Sequence, residues 1–513
     1  MHYRQVRAWP LLRVGAVLAT QTATVALYAQ ETNSVELIKQ LQRRIEQLEQ
    51  KVTRLEQGRP SAEATNSGAT TQRLEALDQK VQMLEQDRQA EQEDKQARAE
   101  MAPLLSIGED GFTLSSADKD FVLRLGGVLQ LDTRTYFGNL ATDGAGGFVL
   151  RRARMYYQGT VFRDFDFLFV PDFAPTTGPT IFDAFLNYHY SPALQVLAGK
   201  FKVPVGLEQL VQDRNILFNE RSLATDLVPN RDVGVELHGD LFGGRLSYAA
   251  GVFNGTVDGG NSPNVDFADD LAFAGRLFVM PFVGCPVTAL QKLGFGLSGS
   301  YESMAFPNTE ALPSNTGGTL PGYFTDGQEQ FFAYNPRSNA VVVASGQHSR
   351  LSPQAYYYIG PFGVMGEYVI SDQEVARTVV GPFSSAHLWN TGWDVTASVF
   401  LTGEDAAYNH EVTPLRPFDP ASGTWGALQL VGRFMVLDVD PAAFPLYSDP
   451  LTSARSASAW SVGINWYLNR NIEWKTSFSH TWFDGGGGPG TTAPATVTRK
   501  SENVLFTRLQ IAF

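Results

Sequence analysis

Beyond residue 104 the chain is written in a period of two. In FVLRLGGVLQLDTRTYF, Phe121, Leu123, Leu125, Leu129 and Leu131 share one face, and Arg124, Gln130, Asp132 and Arg134 share the other. GWDVTASVFLTGE sets Trp393, Val395, Ala397, Val399 and Leu401 against Asp394, Thr396, Ser398 and Thr402. SVGINWYLNRNIEWKTSFSHTWF reads as a hairpin about the turn NRN. Val462, Ile464, Trp466 and Leu468 lead in; Ile472, Trp474, Phe478 and Trp482 lead out, opposite Glu473, Lys475, Ser477 and Ser479. Successive side chains of a strand point to opposite faces, so each segment predicts a strand with an oily side and a wet side. The pattern runs on to Phe513 through Leu505, Thr507, Leu509 and Ile511.

Two architectures accept such strands. A soluble sandwich presses the oily faces together. A transmembrane barrel turns them to lipid and encloses the wet faces around water. The barrel is favoured because the wet faces carry arginine and lysine, because Trp460, Trp466, Trp474 and Trp482 suit a bilayer interface, and because short turns alternate with long polar stretches such as NTEALPSNTGGTLPGYFTDGQEQ. Lipid satisfies no backbone group, so a spanning sheet must close and its last strand must pair with its first. The expectation is an all-β, antiparallel transmembrane barrel over residues 104–513.

The first 29 residues read as an export signal. Arg4, Arg7 and Arg13 precede a modestly apolar stretch that ends at Leu27-Tyr28-Ala29. No later stretch is long and apolar enough for a transmembrane helix. At 31–57, Ile38, Leu41, Ile45, Leu48, Val52 and Leu55 form a heptad seam, with β-branched residues at a and leucine at d. A two-in-seven stripe favours self-association over packing on a domain, and these a/d choices favour two strands. Residues 58–70 read as a linker. A second helical segment at 71–100 carries the seam Leu74, Leu77, Val81 and Leu84.

Of the net charge of −13, the signal contributes +3, residues 31–100 contribute −3, and residues 101–513, with 26 basic and 39 acidic side chains, contribute −13. An acidic strand region argues against nucleic acid as a partner. The lone Cys285 has no partner for a disulfide or a metal site.

Residues 104–513 resemble the phosphate-selective porin O and P family of bacterial outer membranes. The resemblance is carried by FVLRRARMYYQGTVFRDFDFLFVPDF, DAFLNYHYSPALQVLAGKFKVPVGLEQL and RDVGVELHGDLFGGRLSYAAGVFNG, then by SPQAYYYIGPFGVMGEYVIS, GWDVTASVFLTGEDA, VGINWYLNRN and LFTRLQIAF. It implies a barrel of about sixteen strands, usually trimeric, with long loops folding outward or into the pore. It further implies passive passage of small anions such as phosphate or polyphosphate, without a cofactor. Phe513 resembles the aromatic signal read by the outer-membrane barrel assembly machinery. The barrel, with the larger buried contact, is expected to set the oligomer rather than the coil, which would lie in the periplasm.

Fixed cations offset the cost of drawing an anion into a narrow pore. By parity, Arg124, Arg152 and Arg154 face the lumen, and Arg151 falls on the opposite parity, beyond the hydrocarbon. Lys200 and Lys202 share a face, with Phe201 and Val203 opposite. Arg276 is flanked by outward Gly275 and Leu277. Arg214 and Arg231 fall in a loop able to fold inward. Alternatively these bases pair with Asp132, Asp183, Glu236 or Asp394 and stiffen the wall. An enzymatic barrel is disfavoured: His189, His238 and His480 stand apart from any nucleophile motif or metal-ligand spacing. Two further readings are a non-selective pore and a tether in which the coil reaches another layer.

Overall fold

The computed structural model describes residues 67–100 and 102–513, together with positions 46, 47 and 50. Within 102–513 it leaves out position 110, 139–145, 176–177, 263–270, 305–319, 335–340, 379–383 and 486–499. The proposed signal and first heptad seam lie outside the described residues. Helix α1 (Ser67–Glu100) begins inside the stretch read as a linker, and its seam residues Leu77, Val81 and Leu84 are exposed. As far as Gln96 it belongs to a separate unit from the strand region.

The strands are β1 (Leu104–Gly108), β2 (Gly111–Ser115), β3 (Val122–Tyr136), β4 (Gly147–Val161), β5 (Phe165–Asp172), β6 (Thr180–Ser191), β7 (Leu194–Lys202), β8 (Arg231–Leu241), β9 (Leu246–Phe253) and β10 (Ala272–Val279). They continue as β11 (Leu293–Met304), β12 (Gly322–Phe324), β13 (Gln330–Ala333), β14 (Val341–Ile359), β15 (Phe362–Thr378), β16 (Ser384–Phe400), β17 (Ala427–Asp438), β18 (Ala454–Tyr467), β19 (Ile472–Gly485) and β20 (Ser501–Ala512). Each strand from β3 to β11 pairs antiparallel with the next, as do those from β14 to β20; β11 pairs with β14, and β20 returns to β3. The result is a closed ring of 16 strands. At the seam Val504 faces Tyr136 and Ala512 faces Val128. One residue further, Phe513 and Gly127 exchange backbone hydrogen bonds of 3.0 and 2.9 Å. The β1–β2 hairpin stands outside the ring and pairs with β3 at Val122–Leu125, beyond the point where β20 ends.

The outer wall is apolar. Leu129, Leu131, Phe273, Leu277, Leu297, Val395, Val462 and Ile464 are all exposed, while Gln130, Asp132, Asp394, Ser461 and Asn465 of the same strands are buried inside. Trp466 and Trp474 face each other two residues from the β18–β19 turn. The sidedness read from alternation therefore holds.

One end of the ring carries mostly short turns and the other longer loops, with two exceptions, of which the β10–β11 connection, residues 280–292, is the shorter. The β16–β17 connection, residues 401–426, is long yet lies at the short-turn end. Residues 203–230, between β7 and β8, enter from the long-loop end and are mostly buried. So does the β12–β13 hairpin, whose Tyr323, Phe331 and Phe332 are fully buried. These aromatics pack with Leu223 and Leu227 of the inserted loop and with inward Leu388, Met435 and Leu437. The long-loop half of the interior is thus an apolar core, where alternation had implied only water.

The seam is locked by charge. Arg508 of β20 grips Asp132 of β3 through two hydrogen bonds of 2.7 Å, both side chains wholly buried. Removing one partner leaves the other charge buried alone, which costs about 3–5 kcal/mol, whereas a matched neutral pair costs far less. Arg508→Ala should therefore lower the urea midpoint of the folded barrel sharply, and Arg508→Met combined with Asp132→Asn should recover most of the loss.

Candidate functional site

The inserted loop is held on two sides of the lumen. Its Asp213 is the meeting point of four guanidinium groups: Arg152 at 3.6 Å, Arg221 at 2.7 Å, Arg231 at 3.9 Å, and Arg154 in direct contact. Arg154 also binds Asp172 at 2.6 Å, and Arg231 binds Asp183 at 2.9 Å. Seven residues along, Glu220 receives Arg151 through bonds of 2.6 and 2.9 Å, and Arg134 at 3.2 Å. On the opposite side Glu367 accepts the backbone N–H groups of Leu207 and Glu208 at 2.8 and 2.9 Å. There Ser222 donates to Asp394 at 2.8 Å, and Arg433 joins Glu208 to Asp326 at the tip of the β12–β13 hairpin. One wall is mainly basic and the other mainly acidic.

Arg151 corrects the parity reading. Gln130 pairs with Arg152 but the next residue, Leu131, pairs with Leu150, so Arg151 is the extra residue of a β-bulge. A bulge re-aims a side chain; it turns Arg151 inward onto Glu220, and sequence alternation could not show it.

Burial works to raise the Asp213 carboxyl pKa, but Arg152, Arg221, Arg154 and Arg231 hold it well below the usual carboxylate range. Glu220 is lowered likewise, with burial opposed chiefly by Arg151.

The other expected cations divide. Arg152 and Arg154 are buried in the ion pairs above, with Asp213 and Asp172. The same holds for Arg231, which is the first residue of β8 rather than part of a loop. Lys200 departs from expectation. Phe201 lies opposite Asp232 on the inward face and joins the apolar core, while Lys200 shares parity with exposed Val196 and Ala198 and donates to the Ser262 carbonyl at 2.9 Å. Lys202, at the strand end, turns inward to the carbonyls of Gln209 and Val211 at 2.7 and 2.6 Å.

Two cavities open on the short-turn side of the inserted loop. The first, about 410 Å³, is lined by Arg124, Arg214, Glu411, Tyr467 and Arg470. The second, about 480 Å³, is lined by Lys202, Arg214, Arg231, Glu236 and Arg276. Arg214, Gln158 and Asn409 line both. Residues 401–426 meet the inserted loop at this divide. Tyr408 donates to the Leu207 carbonyl at 2.7 Å, Asn409 accepts from the Gln212 backbone at 2.9 Å, and Glu411 pairs with Arg214 and Arg470. Sequence reading missed this second insertion, although the length of the 401–426 connection was a visible signal.

Residues 123–513 match the family model of phosphate-selective porin O and P, and the chain belongs to that family. A curated relative, Porin O of Pseudomonas aeruginosa, is 22% identical over 378 residues, covering 71% of this chain and 83% of the relative. Among solved structures, the outer membrane channel DcaP of Acinetobacter baumannii aligns at 10% identity and a TM-score of 0.46, covering 76% of this chain and 97% of that one. The anion-selective porin from Comamonas acidovorans aligns at 10% identity and a TM-score of 0.43, covering 76% and 99%.

A carboxyl held below its ordinary value contributes stability that is complete above the unfolded pKa near 4 and is lost only as pH falls through the depressed folded value. The Asp213–Glu220 side of the docked loop should accordingly stay paired on acidification from pH 7 to about 4, read as unchanged protease resistance of residues 213–220. Asp213→Asn should expose that segment to cleavage already at pH 7.

Proposed function

We propose that this member of the porin O and P family, an outer-membrane porin, passes small anions by diffusion, with phosphate or polyphosphate the first solutes to test. One observation carries the reading. Around Asp213 four guanidinium groups, those of Arg152, Arg154, Arg221 and Arg231, share the three carboxylates Asp213, Asp172 and Asp183, and Lys202 beside them is held by backbone carbonyls, so this cluster is positive. A positive excess in a lumen of low dielectric lowers the barrier for an anion and raises it for a cation. Arg suits phosphate because its planar fork can engage two oxygens. The acidic balance of the whole chain does not oppose this, since Glu208, Glu367, Asp394 and Asp326 gather on the other side of the loop.

On this reading Arg124, at the short-turn mouth, and Arg214, between the two cavities, meet the solute directly, followed by Lys202, Arg231 and Arg276. Arg152, Arg154 and Lys200 act from behind. The barrel functions as a homotrimer, and the N-terminal segment forms a coiled coil in the periplasm. Phe513, paired to Gly127, is the residue offered to the assembly machinery.

In a planar bilayer under a salt gradient, the purified protein should give a reversal potential on the anion side. A cation-side potential would overturn the anion reading, and a silent bilayer would favour the tether. Phosphate should block chloride current, and Arg214→Ala should weaken that block roughly tenfold, the size of one charge-assisted hydrogen bond.

A further inference from the structure

Of the charged side chains lining the second cavity, Lys202 is satisfied by backbone carbonyls, and two of opposite sign, Glu236 and Arg276, have no counter-charge among the described residues. Glu236 of β8 lines it, is 7% exposed, and its Oε2 has no hydrogen-bond partner. Arg276 of β10 lines the same cavity and is held by an amide rather than a carboxylate: its Nε and Nη2 donate to the Gln354 side-chain oxygen at 3.2 and 3.0 Å. Among the described residues neither forms an ion pair. Most other buried charges of the lumen do, as with Arg154, Arg231, Arg350 and Arg433. A buried charge left unpaired is costly, so two of them across one cavity form an incomplete arrangement.

The register shows what lies between them. Glu236 pairs with Gly251, which pairs with Ala274; His238 pairs with Ala249, which pairs with Arg276. The floor between the two ionic groups is therefore Ala249, with the Phe253 ring lying over Gly251 beside it. Two strand spacings across and two residues along put the two backbones roughly 12 Å apart. Arg276 leans further away, towards Gln354 on β14. Phe185, Leu197 and Phe201 supply an apolar side to the same cavity.

We propose that this cavity is a binding site for small zwitterions, with an ammonium group at Glu236, a carboxylate on the Arg276 fork, and a short apolar chain between them. A lone anion or a lone cation would satisfy one group and leave the other uncompensated. A molecule carrying both charges satisfies the pair while remaining neutral overall. The site rests on the reading of this barrel as a channel, and adds to it a solute that the basic wall alone would not select.

The test uses the full-length protein in planar bilayers, with 6-aminohexanoate as the probe and hexanoate and hexylamine as single-charge controls. Block of the salt current by 6-aminohexanoate should be about tenfold stronger than by either control. Glu236→Gln should bring it down to the level of hexanoate, and Arg276→Gln to that of hexylamine. The heat-sensitive gel mobility of a closed barrel verifies that each variant has folded, and direct calorimetric titration replaces block for any variant whose current is too small. Equal block by all three probes in the unmodified channel, or block that persists in folded Glu236→Gln, overturns the site while leaving the channel standing. A bilayer that stays silent in salt alone overturns the channel reading, and this site with it.

Discussion

In hydrocarbon no water is available to an open sheet edge, so the ring has to close, and every later feature of this fold depends on how it does so. Closure is made where β20 meets β3. Backbone bonds run to Phe513 and Gly127, and the Arg508–Asp132 pair ties the same two strands on the inside. Once the ring is closed, alternation turns one set of side chains to lipid and gathers the other inside. The enclosed set includes enough charge that the lumen needs counter-charges of its own.

The inserted loop supplies them. Asp213 and Glu220 sit among arginines from β3, β4, β8 and β20, and the loop's backbone N–H groups reach Glu367 across the lumen. It therefore acts as a charged strut between a basic and an acidic wall. Apolar packing does the same work nearer the long-loop end, where the β12–β13 aromatics meet inward leucines and methionine. The open space that remains lies on the short-turn side, bounded by a second insertion from that end.

Much of this was legible in the sequence because a period of two is a local signal. The outward residues of β3, β16, β18 and β19 could be named from alternation alone, and closure followed from the solvent. Charge partners were harder to see, because Arg154 and Asp213 are 59 positions apart and their meeting depends on where a loop folds. The surroundings of Lys200 were hidden for a related reason: near the end of β7, Phe201 takes the inward position in the apolar core, and Lys200 is buried against the Ser262 carbonyl of a later connection. The buried hairpin was hidden in a stretch that reads as polar, although Tyr323, Phe331 and Phe332 were the clue within and just beyond it. Composition could not separate the two walls, since a net charge is a sum and not a map.

The bulge at Arg151 has a consequence for how such a strand can change over time. Upstream of it, residues 147–150 keep their pairing with β3 only because one surplus position is absorbed there. Point substitutions in that stretch leave the count intact. Loss of a single codon at the bulge would remove the surplus and leave both flanks in their present register, with Arg151 no longer turned onto Glu220. The strand can therefore shorten by one residue here and stay paired, but only by giving up the arginine that ties the inserted loop at Glu220.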